Sequence, residues 1–220
     1  MARKRDAGWF WIVGLASLGG ILVLPFLVLR ISGFLGGPGI AFYDIPSHSM
    51  APTVMMGDYI VAFANVYIGQ VPPRGQAVVF KYPPDGKTDY IKRVIGLPGD
   101  RIQLRAGRLY INDQLMPRAP VDFAFDQSDY ALAGLHVYRE TLPNGANYLI
   151  AELGDDQQAD NTAVFVVPDG HVFLLGDNRD HSNDSRMGTG VGYVPLALLR
   201  DKPLFICWST DLKRAGMRIR

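Results

Sequence analysis

Residues 8–29 carry no charged side chain, beginning Gly8-Trp9-Phe10-Trp11-Ile12-Val13 and running on through Leu22-Val23-Leu24-Pro25-Phe26-Leu27. About 20 apolar residues suffice to span a bilayer as a helix, the form in which a segment satisfies its own backbone polar groups. The run therefore divides the chain into residues 1–7, a transmembrane anchor over residues 8–31, and everything that follows. Trp9 and Trp11 stand at one end, as an interfacial aromatic belt would. Arg3, Lys4 and Arg5 precede the run and Arg30 follows it closely. That basic excess puts residues 1–7 in the cytoplasm and the rest on the outer side of a cytoplasmic (inner) membrane. The alternative is a cleaved signal peptide, but its apolar core would be only about 7–15 residues. Pro25 is compatible with a kink in a spanning helix.

Lys and Arg total 22 against 21 Asp and Glu. With charges so balanced and no basic stripe interleaved with aromatics, a nucleic-acid partner is not expected. The single cysteine, Cys207 in Leu204-Phe205-Ile206-Cys207-Trp208, rules out an intrachain disulfide and a site of paired cysteines. It reads as a small buried apolar residue. His136, His171 and His181 show no ligand spacing such as His-Glu-x-x-His, so neither metal nor other cofactor is expected.

Residues 32–39 are rich in glycine and read as a loop leaving the membrane. Beyond them strand patterns dominate. Asp58-Tyr59-Ile60-Val61-Ala62-Phe63 and Ala77-Val78-Val79-Phe80-Lys81-Tyr82 are short, β-branched and aromatic, with turn residues at both ends. Asp100-Arg101-Ile102-Gln103-Leu104-Arg105 alternates, turns at Ala106-Gly107 and resumes as Arg108-Leu109-Tyr110-Ile111, a hairpin with one buried face. Tyr138-Arg139-Glu140-Thr141-Leu142 and Tyr148-Leu149-Ile150 flank Pro143-Asn144-Gly145 as a second hairpin. The expected fold is mainly β: an antiparallel, barrel-like domain over 40–118 and 164–220 with an inserted β lobe at 119–163. A short helix is weakly signalled near residues 195–200.

Two segments carry chemistry. In Pro46-Ser47-His48-Ser49-Met50-Ala51-Pro52-Thr53, an extended backbone would present Ser47 and Ser49 on one side and His48 on the other. The prolines restrict the chain around them. In Tyr90-Ile91-Lys92-Arg93-Val94-Ile95, alternation groups Lys92 with Tyr90 and Val94. A lysine with an ordinary pKa of about 10.4 works as a general base only when its surroundings favour the neutral amine. Burial of the amine supplies that preference. Lys81 and Lys87 are competitors, Lys87 lying in a solvated turn. A third segment, Gly176-Asp177-Asn178-Arg179-Asp180-His181-Ser182-Asn183-Asp184-Ser185-Arg186, is dense enough in charge to be either a solvated loop or a hydrogen-bonded network.

Together with Arg74-Gly75-Gln76-Ala77-Val78-Val79-Phe80, these segments resemble the bacterial type I signal peptidases, membrane-bound serine endopeptidases with a Ser-Lys dyad. The resemblance implies Ser49 as nucleophile and Lys92 as general base. It implies that Ser47 donates to the oxyanion beside the Ser49 N–H, that Ser182 orients the lysine amine, and that Asp184 and Arg186 buttress it. Ile45, Pro46, Met50, Tyr90 and Ile91 match positions lining shallow pockets for small substrate residues. The implied substrates are exported pre-proteins with signal peptides, cleaved after small-x-small sites. His48 stands where the family often has glycine, and Gln76 where aspartate is usual. After Arg186 the chain to Pro195 is longer than the family's compact ending.

Three alternatives remain open at this level. His48 with Asp44 or Asp58 suggests a Ser-His-Asp triad, although adjacent side chains do not easily meet. A peptidase dedicated to pilins or conjugation components would share the dyad. An anchored β-domain that binds peptides would not need Ser49 at all.

Overall fold

A computed structural model of the chain describes residues 3–5, 39–125 and 129–220. Its largest sheet has eight strands. In spatial order they are β1 (Arg3–Arg5), β2 (Ile40–Asp44), β3 (Tyr59–Phe63), β15 (Leu199–Trp208), β4 (Ala77–Lys81), β5 (Asp89–Gly96), β13 (His171–Leu175) and β14 (Val194–Pro195). The pairings are antiparallel throughout. A second sheet orders β12 (Phe165–Val166), β6 (Arg101–Arg105), β7 (Arg108–Ile111) and β8 (Gln114–Leu115). A third orders β11 (Asn147–Glu152), β10 (His136–Thr141) and β9 (Arg118–Pro120). The architecture is mainly β, as the strand patterns imply.

The centre of the large sheet is covered on both faces. Ala77, Val79 and Ile91 pack into one buried cluster with Ile60 and Ile206, while Val78, Phe80 and Val94 pack into another with Val172 and Leu174. A strand buried on both faces reads as a continuous apolar run, which is why 77–80 lacks alternation. Phe80 and Ile60 are therefore core residues. The weak helix near 195–200 is only a 3-10 turn over Leu196–Leu198. From Leu199 the chain extends as β15, which joins β3 to β4 and accommodates Pro203 where its register shifts.

The 119–163 lobe is not separate from the main core. Leu142, Tyr148 and Ile150 share one apolar cluster with Ile95, Ile102, Leu104 and Phe173. Its other face packs Phe125, Leu132, Leu135 and Val137 against Ala51.

The anchor expected at residues 8–31 lies outside the described residues, as does the glycine-rich stretch at 32–38. Among the described residues no helix is long and apolar enough to cross a membrane. Residues 3–5 form β1, which is hydrogen-bonded to β2 in register Arg3 to Asp44.

Candidate active site

Ser49 follows β2 on a turn closed by Ala51 N–H donating to the His48 carbonyl at 2.9 Å and Val54 N–H to the Met50 carbonyl at 3.1 Å. The extended reading of this segment thus holds only as far as Ser47, and the chain turns from His48 onward. The two hydroxyls still meet, Ser47 Oγ lying 3.3 Å from Ser49 Oγ. Lys92 reaches the same point from the middle of β5. Its Nζ is 2.8 Å from Ser49 Oγ and 2.8 Å from the Ile91 carbonyl oxygen.

Lys92 is 1% exposed. Its burial drives the amine down to about 8, against the opposing influence of Asp184 and Asp177 and with some help from Arg186. A lysine so placed is part neutral near physiological pH and has a lone pair to accept the serine proton.

Asp184 organises the polar loop behind the lysine. Its carboxylate accepts from Gly176 N–H at 3.0 Å and from Arg186 Nε and Nη2, each at 2.9 Å. Burial opposes its ionisation, but Arg186 and those backbone donors outweigh it and hold the carboxyl below its ordinary value. Arg186 also donates to the Arg179 carbonyl. The third segment is therefore a buried network joined through Asp184 and Arg186.

Ser182 departs from expectation. Its hydroxyl is buried without a hydrogen-bond partner among the described residues, so it makes no bond to the lysine amine. The amine is already engaged by Ser49 and Ile91, while Ser182 sits against Gly176, where a Cβ would overlap Ser182 Oγ and come within 2.5 Å of the Ser49 carbonyl oxygen. That close approach explains the glycine, and sequence pattern alone held no sign of it.

The residues expected in substrate pockets divide. Ile45, Met50 and Ile91 are buried in the core beneath the serine, with Tyr43 and Val79. Pro46 is exposed. Tyr90 is half-buried, stacked on Tyr82 with ring centroids 4.5 Å apart.

A triad is not assembled. Asp58 is held by Arg214 at 2.7 Å, and the His48 ring turns to Asp129 at 2.8 Å. Arg214 is buried by that pairing. Among the described residues no three His, Cys, Asp or Glu side chains converge as metal ligands would.

Next to Lys92, Arg93 donates through Nε and Nη2 to the two oxygens of Asp177, at 2.7 and 2.6 Å, and stacks over Tyr148 at 4.2 Å. Arg179 and the Tyr148 hydroxyl both donate to Glu140. Such bidentate pairs fix geometry because the guanidinium is planar and its donors are rigid. Asn178 N–H completes the frame by donating to the Ser49 carbonyl at 3.2 Å.

A family model described as signal peptidase, peptidase S26, matches residues 16–208. Signal peptidase I of Rickettsia typhi (strain ATCC VR-144 / Wilmington) is 37% identical, the match covering 77% of this chain and 72% of that one. Signal peptidase I of Rickettsia prowazekii (strain Madrid E) matches at the same identity, 37%, and over the same shares. A crystal structure of a signal peptidase I from Enterococcus faecalis V583 aligns with a TM-score of 0.34 at 26% identity, over 59% of this chain and 94% of that chain.

Proposed function

This chain belongs to the signal peptidase family, peptidase S26, and we propose that in this serine endopeptidase Ser49 is the nucleophile and Lys92 the general base. The observation that carries the reading is the 2.8 Å approach of the Lys92 amine to Ser49 Oγ, with burial lowering the amine to about 8.

The neutral amine takes the Ser49 proton as Oγ attacks the scissile carbonyl. The Ser49 N–H and the Ser47 hydroxyl then donate to the oxygen that gains negative charge. Collapse of the tetrahedral adduct breaks the peptide bond, and the Lys92 ammonium returns its proton to the departing amine. Water, deprotonated by the same lysine, releases the acyl group from Ser49. Asp184, Arg186 and the Arg93–Asp177 pair keep the lysine and serine aligned, because buried networks with few free donors resist reorientation. Cleavage after small-x-small sites fits a wall in which Ile45, Met50 and Ile91 are already packed into the core. The experiment is cleavage of a leader-bearing precursor by the full chain and by Ser49→Ala and Lys92→Ala. Both variants should lose turnover, and retained turnover in either one overturns the dyad.

The apolar length of residues 8–31 supports a bilayer anchor, with the β domain acting on exported pre-proteins at the outer face. Labelling of Arg3→Cys in intact cells by an impermeant maleimide, in a Cys207→Ser background, decides where the first residues lie. Protection places residues 1–7 in the cytoplasm, and labelling leaves them outside with β2.

A further inference from the structure

His48 stands between the two hydroxyls of the site, and no step of the proposed reaction uses its ring. Its contacts run instead to the inserted lobe. Nε2 lies 2.8 Å from Asp129 Oδ2, with side chains 9% and 32% exposed. Met56 N–H points at Nδ1 from 3.5 Å. The ring and the Asp129 carboxylate are thus within ion-pair distance, though Nε2 makes no hydrogen bond among the described residues. Among the described residues Asp129 is the charged group within ion-pair distance of His48.

Asp129 is itself held firmly. Its Oδ1 accepts from Ala131 N–H at 3.0 Å, and its carbonyl accepts from Leu132 N–H at 2.9 Å and Ala133 N–H at 3.1 Å. It therefore opens a compact turn, and the same turn supplies Leu132 to the apolar cluster around Ala51, two residues beyond Ser49. The lobe thus grips the serine-bearing turn at two points, one polar and one apolar. Any rotation of the peptide between His48 and Ser49 would shift the Ser49 N–H and, through the adjoining backbone, the Ser47 hydroxyl. Those are the two donors proposed for the oxyanion, whose effect depends on placement before charge develops.

We propose that His48 and Asp129 are positioning residues, a latch by which the 119–163 lobe holds the turn bearing Ser49 in register with Lys92. The assignment rests on Ser49 being the nucleophile. It gives the lobe a role in catalysis that its sequence, poor in motifs, does not announce.

The test uses the full chain and a leader-bearing precursor, with kcat, KM and melting temperature measured for His48→Ala, Asp129→Ala, their double variant and His48→Gln. Small misplacements of reacting groups are expensive in rate, so each alanine variant should lose about tenfold in kcat with KM near wild type. The double variant should be no slower than the slower single, as coupled residues behave. His48→Gln, which offers Asp129 an amide N–H, should recover most of the rate at unchanged melting temperature. Independent losses in the double variant, equal losses in His48→Gln and His48→Ala, or wild-type kcat in both alanine variants overturn the latch. Ser49→Ala run alongside separates the two ideas: its inactivity beside fully active His48 and Asp129 variants removes the latch alone, whereas its activity removes the nucleophile on which the latch depends.

Discussion

Lys92 Nζ lies 2.8 Å from Ser49 Oγ across a separation of 43 residues. One side chain comes from the interior of a strand and the other from a turn, so the pair forms only when the sheet is complete. An amine that would be charged in water is partly neutral there, because burial penalises the ammonium.

Cleavage should follow the neutral amine. The rate, kcat/KM, should be low in acid, rise as pH passes through about 8, and level off above it, since a base must be unprotonated to accept. A rate profile measured on one precursor across pH checks this, and a rise centred near the ordinary lysine value would contradict it.

The same lysine costs stability. Its folded pKa, about 8, lies below the ordinary 10.5. As pH falls from 10.5 toward 8 the unfolded chain gains a proton that the folded chain does not. Stability therefore falls through that window, and the whole penalty, roughly 3 kcal/mol, is present below it. Lys92→Met should be inactive yet more stable than wild type at pH 7, by up to ~3 kcal/mol less the lost hydrogen bonds. Urea unfolding of the full chain in detergent at several pH values reads both the sign and the window.

Arg93 and Asp177 form a pair in which both side chains are 1% exposed. Removing one partner strands a buried charge, so Asp177→Ala should cost about 3–5 kcal/mol. Replacing both, as Arg93→Met with Asp177→Leu, should restore much of that loss in a melting experiment, because the desolvation penalty then disappears with the pair.

Gly176→Ala tests the closest approach in the site. A Cβ there meets Ser182 and the Ser49 carbonyl oxygen, and the latter is backbone that a rotamer change does not move. The variant should lose about 1–3 kcal/mol of stability. It should also cleave a precursor at least about tenfold more slowly, because the serine is displaced. An unchanged rate would show that the serine backbone yields at little cost.

Much of the fold is legible from local pattern. Ile102, Leu104, Leu109 and Ile111 alternate with polar neighbours on either side of Ala106-Gly107, and they face one core. β15 is harder to read, because Pro203 interrupts it and its register shifts twice. Its place between β3 and β4 depends on partners more than a hundred residues away. At the site, Ser47, Ser49 and Lys92 are conspicuous in the sequence, whereas Asp129 sits in a stretch with no motif. The missing Ser182 bond and the core positions of Ile45, Met50 and Ile91 likewise depend on packing.

The order of residues alone determined the apolar run at 8–29, the strand-forming segments and the types of side chain available for catalysis, since each is encoded within a few neighbouring positions. Tertiary structure decided which lysine loses its water, which carboxylates are neutralised by arginine and which loop meets His48. Desolvation and ion pairing are properties of the space between distant segments, so they come into being only when the chain has closed around them.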